Sequence, residues 1–217
     1  KKKKQSILPD CDVVVGTDEE VHIAGGSTDT RAALLNIRKL TKATIVLKTG
    51  PKGCLVFPDA IPQNIEDGIS SEGFPVEVFN VLGAGDGFMA GFLRGYVRDL
   101  PLEDCCRIAN ACGALAVSRH GCAPSYPSWE ELEFFLDRGV VNPRLREDAD
   151  LEHVHWATNR RGQWDNICAF AIDHRMQLET MAKDVGADPE RIAKFKDLST
   201  RHNAECAASG YEPRHPA

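Results

Sequence analysis

The stretch Val78-Phe-Asn-Val-Leu-Gly-Ala-Gly-Asp86-Gly-Phe-Met-Ala-Gly91 decides the fold. An apolar run enters Gly83-Ala84-Gly85-Asp86, and apolar residues then recur at helical spacing, so a strand passes through a tight turn into an amphipathic helix. Small residues at 83 to 85 let the backbone turn sharply and aim successive N–H groups at one point, at the positive end of the following helix, which makes an anion site. A carboxylate beside a bound phosphate is unfavourable unless its task is to take a proton, and this makes Asp86 informative. In phosphoryl transfer the acceptor hydroxyl loses its proton as it attacks the γ-phosphorus, and a positioned carboxylate serves as base while nearby donors stabilise the charge. The plain alternative is that Asp86 only caps the helix and the glycines only make the turn.

Outward from this segment, residues 12 to 138 alternate short apolar runs with helical patterns, the mark of an α/β fold with a mostly parallel sheet flanked by helices. Val13-Val14-Val15, Ala43 to Lys48, Cys54 to Phe57 and Phe74 to Phe79 read as strands, the second and third joined as a hairpin across Thr49-Gly-Pro-Lys-Gly53. Asp29 to Leu40, Gly87 to Arg98 and Leu102 to Arg119 read as helices, and Ser128-Trp-Glu-Glu131 has the form of a capping box for a last one. Residues 5–138 thus form one domain. Charged residues crowd residues 139–165 without an apolar period, which predicts a linker. Residues 166–217 open a second module: Cys168 to Ile172 as a strand ending at Asp173-His174-Arg175, then a helix from Gln177 and another after Asp188-Pro189.

Composition narrows the function classes. The 217 residues carry 26 Lys plus Arg against 32 Asp plus Glu, a net charge of −6, with 42% hydrophobic residues. A negative field draws neither nucleic acid nor an anionic membrane, and no apolar run reaches the roughly 20 residues of a bilayer span. Eight cysteines without a Cys-x-x-Cys pair read as reduced thiols of a cytoplasmic protein, and the lysines at 1 to 4 as a solvated end. The start at Lys1 and the unclosed pattern at Ala217 predict a chain cut at both ends, with exposed apolar patches there. Three further features have plain readings. The Gly87, Gly91, Gly95 stripe permits close helix–sheet packing, His153-x-His155 lacks a third ligand at fixed spacing, and Asp173-His174-Arg175 sits where a barrel keeps its chemistry.

The central segment resembles the signature of the ribokinase-like, PfkB-type carbohydrate kinases, Asp-Thr-x-Gly-Ala-Gly-Asp-x-Phe-x-x-Gly, which Asn80 to Gly91 matches apart from the opening pair. Other landmarks of that family follow in register. Gly16-Thr-Asp-Glu19 is similar to its Asn-x-x-Glu, Lys48 to Gly53 to its nucleotide loop, and Arg119 to Ser125 with Pro127 to Glu131 to its closing motifs. The resemblance implies ATP and Mg²⁺, with Asp86 as the catalytic base and Gly83, Ala84 and Gly85 as the anion hole. It implies nucleotide contacts at Lys48, Thr49, Gly50, Gly53 and Asn110, and the magnesium-tending glutamate at Glu19. A monovalent cation, K⁺, would fall to Asn80, Leu82, Ala116, Arg119, Gly121 and Ser125, largely through carbonyls, although the family usually has a carboxylate where Asn80 stands.

Gly-Thr at 16 and 17 and the lysine at 48 are similar to the family members that phosphorylate 2-deoxy-5-keto-gluconic acid in inositol breakdown, and in many bacteria these are fused to an aldolase-like barrel. Cys168 to Arg175 resembles the first strand of that barrel. The implied partners are a nucleotide and a small sugar acid, with self-association left open. Other sugar or nucleoside kinases of the family, or a non-catalytic nucleotide-binding fragment, are the alternatives. Since the family binds its acceptor sugar mainly through the N-terminal half, the 217 residues alone are expected to be inactive.

Overall fold

β-branched residues set the strands: β1 (Val13–Thr17), β2 (Thr44–Lys48), β3 (Cys54–Phe57) and the short β4 (Ile69–Ser71), in the order β1-β2-β3-β4. The computed structural model describes residues 5–159, 176–188 and 190–208, and the chain divides into two units, Lys1–Arg161 and Gly162–Ala217. β1 and β2 run parallel, with Thr17 opposite Lys48, because two helices, α1 (Asp18–Gly25) and α2 (Thr30–Arg38), carry the chain between them. β2, β3 and β4 follow one another antiparallel, the first pair across the predicted Thr49–Gly53 turn. The sheet is therefore mixed, and parallel pairing among the described residues is confined to β1–β2.

Both faces of the sheet are covered. Ile45, Leu47, Leu55 and Phe57 pack against Ala33, Leu34 and Ile37 of α2. Their alternating neighbours Val46, Cys54 and Val56 meet Phe88 and Phe92 of α3 (Ala84–Tyr96) and Cys105, Cys106 and Ala109 of α4 (Leu102–Val117). The glycine stripe serves the contact of α3 with α4, where packing on the sheet was predicted. A Cβ at Gly91 would stand 2.9 Å from Cys112 Sγ and 3.0 Å from Ala109 Cα, so any larger residue would push the two helices apart.

A third apolar cluster lies where a linker was expected. Leu115 of α4 packs with Leu132 and Phe135 of α5 (Trp129–Arg138), with Leu145, and with Leu151 of α6 (Ala149–Asn159). Residues 145 to 159 fold into the first unit because Leu145, Leu151 and His155 are buried at one side of an otherwise charged stretch. The capping box at Ser128 forms by half: Ser128 Oγ accepts from the Glu131 N–H at 3.1 Å, while the Glu131 side chain turns inward. A complete capping box opens α1 instead. There Thr17 Oγ1 accepts from the Glu20 N–H and Glu20 Oε2 from the Thr17 N–H, a helix start that the sequence reading passed over.

Phe74 to Phe79 is not a strand. Pro75 has no N–H, the Glu77 N–H donates to Pro143 O at 2.7 Å, and the Phe79 and Asn80 N–H groups both donate to Val117 O. In the second unit, α7 (Met176–Asp184) and α8 (Glu190–Ala208) match the two predicted helices, and Asp188 Oδ1 accepts from the Glu190 N–H at 2.9 Å. Met176, Met181, Phe195 and Leu198 on them, and Val185 just after α7, are exposed. Cys168 to Ile172 and the Asp173-His174-Arg175 triplet lie outside the described residues. No helix among the described residues is long and apolar enough to cross a membrane.

Candidate active site

α3 begins at Ala84, three residues before its predicted start, with Gly83 as N-cap at φ 80°. Ala84, Gly85 and Asp86 are thus its first three residues, where backbone N–H groups have no partner within the helix. Ala84 N–H bonds to Val81 O at 3.2 Å, while the Gly85 and Asp86 N–H groups meet no acceptor among the described residues. Only glycine fits at 83: besides the positive φ, a Cβ would collide with Cys122 Sγ and stand 2.7 Å from the Tyr126 hydroxyl. The Asp86 side chain is exposed, makes no hydrogen bond among the described residues, and caps nothing, since the N-cap position belongs to Gly83. The capping alternative therefore fails, and the carboxylate stands free on the turn that presents the N–H groups.

Lys48, at the end of β2, reaches the same turn. Its Nζ lies 3.3 Å from where a Cβ on Gly85 would sit and 3.8 Å from Glu20 Oε2. Glu19, the predicted metal-tending residue, is exposed and makes no hydrogen bond or ion pair among the described residues, and Glu20 is the carboxylate brought to Lys48. The reason is the register of α1: once Thr17 caps the helix, position 20 folds back over the strand end. An ammonium, a helix start with two uncommitted N–H groups and two carboxylates thus converge at the C-terminal ends of β1 and β2, where open α/β sheets bind ligands.

The turn after Lys48 is fixed from both sides. Thr49 donates to Gly53 O through its N–H and its hydroxyl, each at 2.9 Å. Asn110, predicted to touch the nucleotide, is 7% exposed, and its Nδ2 donates to Ser71 O at 2.8 Å and Glu72 O at 3.2 Å. It braces the 71–73 segment against the Gly50–Gly53 turn. Lys48, Thr49, Gly50 and Gly53 therefore stand together at one strand end, with Asn110 behind them.

In the set predicted for a monovalent cation, the polar side chains are committed to protein partners. Asn80 Nδ2 donates to Gly121 O at 2.8 Å, and Asn80 Oδ1 accepts from the Leu82 N–H at 3.1 Å. Ser125 Oγ is committed to Gly121 O and Cys122 O, Ala116 is buried in α4, and the Arg119 side chain turns to Glu131 and Glu152. The Asn80 amide thus already donates to one carbonyl of that set, where the family usually has a carboxylate. Among the described residues no group of three His, Cys, Asp or Glu could hold a metal, and His155 of the His-x-His pair is buried. Beside the Gly83 turn, the Tyr126 hydroxyl donates to Gly83 O at 3.2 Å and lies 2.9 Å from Cys122 Sγ. Its acidity is suppressed, to a pKa of about 12, first by the bond to Cys122, then by desolvation and by the Cys122 and Asp86 charges.

A strand-end cradle with a free carboxylate on the first turn of a helix, in a mixed sheet covered on both faces, is the architecture of a ribokinase-like α/β domain. A family model for pfkB family carbohydrate kinases matches residues 1–129, and the chain belongs to that family. A second model, of an uncharacterized protein conserved in bacteria, matches residues 131–215. The chain is similar to the 5-dehydro-2-deoxygluconokinase of Geobacillus kaustophilus, 25% identical over 134 residues that cover 59% of this chain and 38% of that one. It is also similar to the probable chloroplastic fructokinase-6 of Arabidopsis thaliana, 34% identical over 115 residues, 48% of this chain and 28% of that one. Among solved structures, Arabidopsis thaliana ribokinase complexed with ribose and ATP superimposes with a TM-score of 0.53 at 28% identity, covering 61% of this chain and 43% of that one. The chain spans less than half the length of these relatives.

Proposed function

We propose that the protein carrying this chain transfers the γ-phosphoryl group of ATP to a hydroxyl of 2-deoxy-5-keto-gluconate, in the breakdown of myo-inositol. One observation carries the reaction class: Asp86 stands uncommitted on the same helical turn as the free Gly85 and Asp86 N–H groups, with the Lys48 ammonium beside them. A phosphoryl group drawn to those donors lies next to a carboxylate that has no structural duty. The acceptor hydroxyl passes its proton to Asp86 as its oxygen attacks the γ-phosphorus. The bond from that phosphorus to the β–γ bridging oxygen breaks, and ADP leaves with the electron pair. The Gly83–Gly85 backbone and Lys48 stabilise charge on the transferred group. The Thr49–Gly53 turn, braced by Asn110, approaches the nucleotide. Mg²⁺ carried with ATP supplies charge neutralisation at the phosphates, and Glu20 is the carboxylate standing towards them.

The 5-dehydro-2-deoxygluconokinases among the relatives, and the lysine ending β2, support the sugar acid. A neutral ketose is the second reading, supported by the 34% identity to a fructokinase. The described cysteines are free thiols, which suits the cytoplasm. The test is ADP release by the full-length protein offered 2-deoxy-5-keto-gluconate, fructose and ribose in parallel. The highest kcat/KM is expected with the sugar acid, a preference for fructose moves the assignment to the second reading, and no ADP release with any sugar overturns both.

A further inference from the structure

Four charged or titratable side chains meet inside the first unit, Arg119 and Glu131 from the closing motifs and Glu152 and His155 from α6. Glu131 is 0%, His155 2% and Arg119 7% exposed. Arg119 Nη1 lies 2.7 Å from Glu131 Oε1, Arg119 Nε 2.6 Å from Glu152 Oε1, and His155 Nδ1 2.6 Å from Glu131 Oε2. Burying a carboxylate is costly, and Glu131 is offset by Arg119 and His155, so the segment that follows α4 is held together with α5 and α6.

The cluster also has an outlet towards the site. His155 Nε2 lies 3.1 Å from Pro124 O, and since a carbonyl only accepts, the ring donates there. Pro124 belongs to the short turn Ala123–Ser125. On either side of that turn, Gly121 O accepts from Asn80, Cys122 stands over Gly83, and the Tyr126 hydroxyl donates to Gly83 O. An unbroken series of contacts thus runs from α6 through Pro124 and Tyr126 to the N-cap of α3. Its starting point, α6, lies beyond the residues that match the kinase family and inside those that match the second family.

We infer that His155, held by Glu131, is a positioning residue for the anion hole, with Glu152 fixing Arg119 at the start of the same loop: α6 holds the 119–126 segment, and that segment holds Gly83. The segment matched by the second family thereby completes a site of the first. The catalytic consequence rests on the kinase reading given above, whereas the coupling itself does not.

The test is hydrogen–deuterium exchange in the full chain, read at residues 82–90, 119–126, 149–159 and, as a control in β2 and β3, 44–57. In His155→Leu, exchange at 82–90 and 119–126 should rise about 10- to 100-fold, the scale of losing a hydrogen bond to a charged group, with 44–57 unchanged. His155→Gln, which still reaches one of the two acceptors, should fall between. Acceleration confined to 149–159, or equal acceleration at 44–57, overturns the inference. Should His155→Leu fail to fold, Glu152→Gln should raise exchange at 119–126 and 82–90 while sparing 44–57, and exchange equal to wild type in that variant is equally contrary.

In the full-length protein, His155→Gln should lower kcat about tenfold, as a small misplacement of reacting groups does, with the acceptor KM within about twofold. An unchanged kcat contradicts the positioning role. A wild type without kinase activity overturns the kinase reading alone, and the exchange experiment then decides the coupling.

Discussion

Single residues at the site divide by whether a bland role can account for them. Gly83 is required by space as well as by conformation, because Cys122 and Tyr126 fill the volume a side chain would take. That crowding makes Cys122 a sensitive position. Burial raises Cys105 and brings Cys112 to about 12, and Cys106 is raised first by its bond to Cys54 and then by burial, so at neutral pH these thiols stay protonated and unreactive. Cys122 is half-buried at the surface of the loop. N-ethylmaleimide at pH 7.5 should therefore label Cys122 before Cys105, Cys106 or Cys112, and mass spectrometry of the native protein checks the order. Comparable labelling of the helical thiols would contradict their burial. The Asp86 turn is legible in the sequence because its glycines and its carboxylate lie within four consecutive residues. Glu20 is not: choosing between Glu19 and Glu20 depends on where α1 starts, a fact set by the Thr17 cap rather than by spacing alone. The link from His155 to the loop is hidden for another reason, since beside its neighbour Asn159 it meets Glu131 and Pro124, 24 and 31 residues away.

Elements were legible where a period or a cap repeats and illegible where charge masks burial. The β2–β3 hairpin and helices α2 to α5 follow from local pattern, and only α3 shifts its start appreciably. α6 could not be read, because Arg, Asp and Glu outnumber apolar residues from 144 to 152 and the buried positions Leu145, Leu151 and His155 are sparse among them. The Phe74–Phe79 segment misled in the opposite way. Its composition suits a strand, but its N–H groups are taken by Val117 and Pro143. The same segment leads into Asn80, whose amide donates to Gly121 O where a cation would bind. Replacing Na⁺ by K⁺ should accordingly change the turnover of the full-length protein by less than about twofold, since there is no open carboxylate for the ion to approach. Asn80→Asp, which removes the donor and adds a charge, should make turnover rise with K⁺. Strong K⁺ activation of the wild type would contradict the assignment of Asn80.

On the scale of the whole molecule, the boundary between units at 161 and 162 departs from the sequence boundary at 138 and from the junction of the two family matches near 130. Leu145 and Leu151 belong to the same apolar cluster as Leu115 and Phe135, so residues 145–159 pack on the kinase-side core. Cutting the chain after 138 should lower the melting temperature, relative to cutting after 161, by more than about 5 °C, because lost core leucines cost about 2–5 kcal/mol each. Equal melting temperatures would restore the linker reading. The 217 residues alone are expected to phosphorylate no sugar, whereas the full-length protein should.

The central claim is that Asp86 takes the proton in phosphoryl transfer, and kcat of Asp86→Asn in the full-length protein tests it most directly, with ATP affinity measured alongside. The substitution keeps size and removes the base, so kcat should fall by about 10²- to 10⁴-fold, the usual contribution of a general base, while ATP binding is retained. Near-normal turnover in Asp86→Asn would contradict the account.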